Sequence, residues 1–169
     1  MKKFELTSDF KMYLGMKLFR IKALVDFGNV KAGDLGGYIE KEKNLSHNGN
    51  AWVYGNARVC GNAWVYGNAR VYDNARVSDN AQVCGDARVC DNARVCGNAD
   101  ILQITGLGTE HRPTTVFRAE DGIKVACGCF LGDLGQFRER VKNTRTGKVQ
   151  EEYLKFAELV EIYFGEEGK

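Results

Sequence analysis

From Ala51 to Ile101 apolar and polar positions follow one six-residue phrase, A-x-V-x-(G/D)-(N/D), repeated without insertion. In an extended segment such as Ala57-Arg58-Val59-Cys60, side chains alternate between faces, so Ala and Val point one way while Arg and Cys point the other. The next two positions are always Gly or Asp and then Asn or Asp, the residues that best tolerate left-handed backbone angles, and they predict a turn at the end of every phrase. One hexad cannot bury its own apolar face. Copies stacked in register can, with each buried valine contributing roughly 1.5–3 kcal/mol. The pattern predicts a solenoid whose core is the stack itself.

The spelling V-x-x-x-A-x resembles the hexapeptide repeat of left-handed parallel β-helices. That resemblance implies three hexads per triangular coil of 18 residues. The valine slots run from Val53 through Val95 and continue to Ile101, which gives nine hexads and three coils. Upstream, Ile39 and Leu45 keep the six-residue step, but Leu45 to Val53 is eight, so a bulge or cap is expected around His47.

The flanks predict caps. Residues 1–46 read as strands leading into the coils, 47–104 as the solenoid, and 105–169 as a Gly/Thr loop, a hairpin and two helices near 134–144 and 150–164. In "TVFRAEDGIKVACGCF" two β-rich runs flank a Glu-Asp-Gly turn. Tyr153, Phe156, Ala157, Val160 and Phe164 recur at helical spacing. The expected fold is therefore mainly β, a left-handed parallel β-helix with an N-terminal β cap and a C-terminal hairpin-plus-helices cap. With "FGNVKAGDLGGYIEKEKNLS" before the hexads and "DGIKVACGCFLG" after them, the chain resembles phage- and prophage-encoded hexad-repeat proteins. The resemblance implies a phage context and supplies no catalytic residue.

Composition narrows the function. Lys and Arg number 24 against 22 Asp and Glu, a formal charge of +2, so the molecule as a whole is neither a duplex nucleic-acid binder nor a membrane-surface protein. No signal peptide or membrane-spanning run is visible, which makes the expected location the cytoplasm of the host cell and its six cysteines thiols. Cys60, Cys84, Cys90 and Cys96 share one outward slot and read as small surface residues. On an 18-residue coil Cys60 and Cys96 stand roughly 9–10 Å apart, beyond the ~7 Å limit for a disulfide. Cys127 and Cys129 lack a second pair for a zinc site, so no metal or cofactor is expected. The hexads resemble those of acyltransferases, which use a histidine base on loops between coils. With only His47 and His111 and no loop insertions, no catalytic residue is assigned.

Binding is the remaining chemistry. Adding 18 moves one coil along a face and sorts the outward residues into stripes. The first has Trp52, Arg70 and Arg88 beside Tyr54, Tyr72 and Cys90. The second has Arg58, Arg76 and Arg94, and the third Trp64, Gln82 and Asp100 beside Tyr66, Cys84 and Leu102. Guanidinium groups with aromatic planes suit a nucleotide-like anion, whose phosphates accept forked hydrogen bonds and whose base stacks. Turn aspartates such as Asp73 and Asp91 are the alternative partners for the arginines. His111 and Arg112, in the Gly106–Arg112 loop, are further ligand candidates. Trp64, Tyr66 and Leu102 are the expected subunit contact, in a homo-oligomer that the hexapeptide resemblance makes a trimer. The chain reads as a binding protein for an anionic nucleotide signal or a host protein, with a rigid assembly spacer as the alternative.

Overall fold

The computed structural model describes residues 1–165. It begins with a hairpin, β1 (Phe4–Tyr13) and β2 (Met16–Ala23), and β2 pairs antiparallel with β3 (Leu35–Ile39). Eight two-residue strands follow at the hexad spacing: β4 (Trp52–Val53), β5 (Arg58–Val59), β6 (Trp64–Val65), β7 (Arg70–Val71), β8 (Arg76–Val77), β9 (Gln82–Val83), β10 (Arg88–Val89) and β11 (Arg94–Val95).

These strands stack in parallel as three faces. β3, β5, β8 and β11 form the first face, and the N-terminal hairpin extends it at one end. β4, β7 and β10 form the second, while β6 and β9 form the third, to which Leu45 adds a bridge to Val65. Val53 faces Val71 and Val71 faces Val89, so the hexads do close an 18-residue coil. Every Val and Ala from Ala51 to Val95 in the inward slots is buried, and the solenoid makes about three turns from Ile39 to Val95.

Each hexad turn from Gly55 to Asp91 opens on a left-handed residue, from Asp79 at φ 52° to Gly67 at 70°, and the glycine or aspartate of that slot meets the requirement. The amide of the following slot builds a second ladder. Asn50 donates to Asn68 and Asn68 to Asp86, both at 3.1 Å. The paired glycines of "DLGGYIE" have a different cause: a Cβ at Gly37 would lie 2.7 Å from the Ala57 carbonyl oxygen, so β3 reaches the next coil only without a side chain there.

At the first end, the eight-residue step is a bulge tied down by the N-terminus. Lys3 is buried, and its Nζ donates to the carbonyls of Ala51 at 2.8 Å and Gly49 at 3.3 Å. Burial lowers its ammonium to about 8. His47 is half-buried rather than core. It stacks on Phe4 at 4.3 Å, accepts the Lys3 backbone N–H at Nδ1, and pairs with Glu42 at 2.7 Å.

At the other end the ninth hexad leaves the stack. Gly97 is extended (φ −152°), Asn98–Asp100 form a 3-10 turn, and Ala99 is exposed. Ile101 therefore enters β12 (Ile101–Ile104), which pairs antiparallel with β13 (Thr114–Ala119) and not with the solenoid's third face. β14 (Gly122–Cys127) and β15 (Phe130–Asp133) complete this sheet, followed by α1 (Leu134–Thr144) and α2 (Gly147–Phe164). Asp133 and Gln136 form a reciprocal capping box at the start of α1. The sheet divides its faces between two cores. Phe117 enters the solenoid core, whereas Val116 and Val125 pack under Phe137, Phe156 and Val160 of the helices.

Phe117 thus closes the open end of the Val/Ala column, and Phe117→Ala should destabilise the protein by about 3–5 kcal/mol through the cavity it leaves. Chemical denaturation measures this; a loss below about 1 kcal/mol would show that the end of the column does not depend on the plug.

Candidate anion-binding site

Because the inward slots stack in register, the outward slots do too. Tyr38, Arg58, Arg76 and Arg94 form one column, Trp52, Arg70 and Arg88 a second, and Trp64 and Gln82 a third. Rungs about 4.8 Å apart place like charges close together, which costs energy unless something compensates.

On the first face, the caps compensate. Glu120, in the turn between β13 and β14, accepts from Arg94 Nε at 3.0 Å and Nη2 at 2.6 Å, and lies 3.6 Å from Arg76. The hydrogen bonds from Arg94 hold its carboxyl below the usual range. From the other end, Tyr13 at the hairpin tip lies over the guanidinium groups of Arg58 and Arg76, at 4.9 and 5.6 Å. Its hydroxyl accepts from Arg76 at 3.5 Å. Tyr13, Leu14 and Met16 overhang a cleft of about 290 Å³ above these arginines. The turn aspartates do not supply the pairing: among the described residues neither Asp73 nor Asp91 lies within 4.0 Å of a hexad arginine. Asp73 instead accepts the backbone N–H of Asp91.

The second face is different. Arg70, Arg88, Tyr54, Tyr72 and Asn29 line one groove of about 350 Å³. Among the described residues, the ion pairs include no carboxylate within 4.0 Å of Arg70 or Arg88. Arg88 Nη1 donates to the Gly128 carbonyl at 2.9 Å. Burial pushes the phenols of Tyr54 and Tyr72 up, so both stay protonated donors near neutral pH. A further depression continues from Arg88 to Arg112, beside Gly128 and Cys129.

The fold thus brings together Tyr54, Arg70, Tyr72 and Arg88, with Arg112 adjoining, and gathers Arg58, Arg76 and Arg94 into the separate cleft. Trp52 does not join them. It is 1% exposed, edge-on to Phe4 and Phe27, because the N-terminal segment covers its rung, so it is a core residue and not a stacking platform. His111 stands apart in the exposed loop, its Nδ1 3.0 Å from the Gly106 carbonyl. Trp64, 43% exposed, stacks on Tyr66 at 4.1 Å. Leu102 leaves that stripe: the diverted ninth hexad turns it into the helical core. Two cysteines also depart from the surface reading. Cys60 is buried against Leu18 and Tyr38 under the hairpin, and Cys90 is buried in the solenoid cluster. Tyr13, Asn29 and Glu120 were invisible to the periodicity, since each comes from a segment outside the hexads.

The repeats also have a counterpart among known proteins. A family model described as the YdcK beta solenoid repeat matches residues 51–67 and 65–85, within the hexads and short of both caps. The chain is similar to that family in its β-solenoid repeats. Comparison with curated proteins gives no significant match. No helix of the described residues is long and apolar enough to cross a membrane.

The clasp on Arg94 has a measurable signature. Glu120 should titrate below the ordinary glutamate range in a carboxyl-detected NMR experiment, and Arg94→Ala should move it back up. Its contribution is present above the ordinary pKa and lost as pH falls through the lowered one. A midpoint unmoved by Arg94→Ala would mean that the pair does not form.

Proposed function

We propose that the protein is a non-enzymatic binding module whose second face holds an anionic, nucleotide-like ligand, in keeping with a counter-defence role that sequesters a nucleotide signal. The observation that carries this reading is the pair of guanidinium groups, Arg70 and Arg88, stacked one rung apart beside two tyrosines in one groove. With no carboxylate within 4.0 Å of either guanidinium among the described residues, a phosphate meets forked donors without breaking an internal ion pair. Tyr54 and Tyr72 offer ring faces for a base and hydroxyl donors for oxyanions. A volume of about 350 Å³ falls at the lower end of the usual small-molecule range. The first face serves this purpose less well, because Glu120 already occupies Arg94 and approaches Arg76.

Oligomerisation belongs to the same proposal. The stacked Trp64–Tyr66 pair is the exposed aromatic feature of the third face and suits a contact between copies of the solenoid, as a homotrimer.

Calorimetry against linear and cyclic nucleotides tests the binding reading. Arg70→Ala and Arg88→Ala should each remove one charge-assisted contact, about 1.5–3 kcal/mol or roughly 10- to 150-fold in Kd. Arg94→Ala should leave affinity unchanged. Parent-like binding by both second-face variants would move the ligand elsewhere. A parent protein that neither binds nor is stabilised by any nucleotide would favour a rigid spacer.

A further inference from the structure

The helical cap contains a second cluster of cations that the solenoid faces do not use. A cavity of about 110 Å³ lies between the Gly108–Arg112 loop, the turn joining β14 to β15, and the two helices. Phe130, Phe137 and Tyr153 give it an apolar wall, and Arg112, Arg140 and Arg145 stand around it. Four of the five acids of the helices are engaged by other cations, and the fifth, Glu151, is exposed and has no cation within 4.0 Å among the described residues. Glu139 pairs with Lys142, Glu152 with Lys148, Glu158 with Lys155 and Glu161 with Arg138. Glu110, itself in the lining, approaches Arg112 at 3.6 Å, while among the described residues no carboxylate lies within 4.0 Å of Arg140 or Arg145. Among the described residues, two positive charges therefore have no carboxylate partner at the cavity.

The glycines at its rim are required by this arrangement. A Cβ at Gly128, between Cys127 and Cys129, would lie 2.9 Å from Nη1 of Arg112, so the glycine lets that guanidinium cross the turn. At Gly108 (φ 66°) a Cβ would lie 2.9 Å from the Tyr153 ring, so the "GLG" stretch packs directly on the cavity wall. The Gly108 N–H is held by Glu152, and the Tyr153 hydroxyl donates to the Leu107 carbonyl. Cys129 is exposed in the lining, with its sulfur 3.9 Å from Nη2 of Arg140.

We propose that this cavity is a second ligand site, specific for a small oxyanion such as a phosphate or short carboxylate, with Arg140 and Arg145 as its principal cations and Cys129 at its rim. It is less than a third of the volume of the second-face groove, too small for a nucleotide. Its principal cations do not line the proposed nucleotide groove, although Arg112 and Cys129 also border the depression that runs from Arg88.

Cys129 reports on it directly. Alkylation forms an S–C bond from the thiolate and expels iodide, and the reagent comes in anionic and neutral forms. Site-resolved mass spectrometry on the full chain should give an iodoacetate-to-iodoacetamide rate ratio at Cys129 roughly fivefold above that of N-acetylcysteine, because the local positive field concentrates the anion. The double substitution Arg140→Ala/Arg145→Ala, at two exposed positions, should return the ratio to the reference, with circular dichroism confirming an intact fold. Millimolar inorganic phosphate should suppress the excess in the parent at constant ionic strength. A parent ratio equal to that of N-acetylcysteine, or phosphate acting no better than chloride, would overturn the proposal. Arg140 and Arg145 do not line the nucleotide groove, so the double substitution separates this site from that reading.

Discussion

The structure depends on one constraint, the stacking of Val and Ala in inward columns with a period of 18 residues. Those columns are fully buried, and the short strands that carry them have few other means of stabilisation. Registration inside forces registration outside. The arginines stand in columns because they share a backbone with the valines, and the cost of aligned like charges follows from burying the core. Both ends of the stack need closure for the same reason: Phe4, Trp52 and the buried Lys3 close one, and Phe117 the other.

Compensation of those aligned charges then separates the faces. The first face receives Tyr13 from the N-terminal hairpin and Glu120 from the C-terminal sheet, so opposite caps meet over one arginine column. The second receives the Asn29 side and the Gly128 carbonyl, neither of which brings a negative charge. A difference in capping, not in the repeats, makes one column a closed clasp and the other an open groove.

The repeats were legible because a strict period fixes coil length, inward columns and turn chemistry together. The eight-residue step at His47 also marked a real irregularity, since Lys3 and Glu42 hold that bulge. Reading failed where the hexad spelling outlasted the hexad structure. Asn98-Ala99-Asp100-Ile101 keeps the phrase, yet β13 pairs with Ile101–Ile104 and pulls the segment from the stack, which carries Leu102 into another core. Trp52 occupies an outward slot but is covered by residues far away in sequence, and periodicity cannot see such a cover. Glu120 was spelled as a hairpin turn, and its position over Arg94 arises from how the sheet docks on the final rung.

We propose that carboxylate pairing decides which arginine column accepts an anion. Anomalous diffraction from crystals soaked in selenate decides this, because the heavy oxyanion marks unpaired guanidinium groups without any assumption about the natural ligand. A selenium peak is expected between Arg70 and Arg88 on the second face, and none displacing Glu120 from Arg94. Selenate seated on Arg76 and Arg94, with the second face empty, would contradict it.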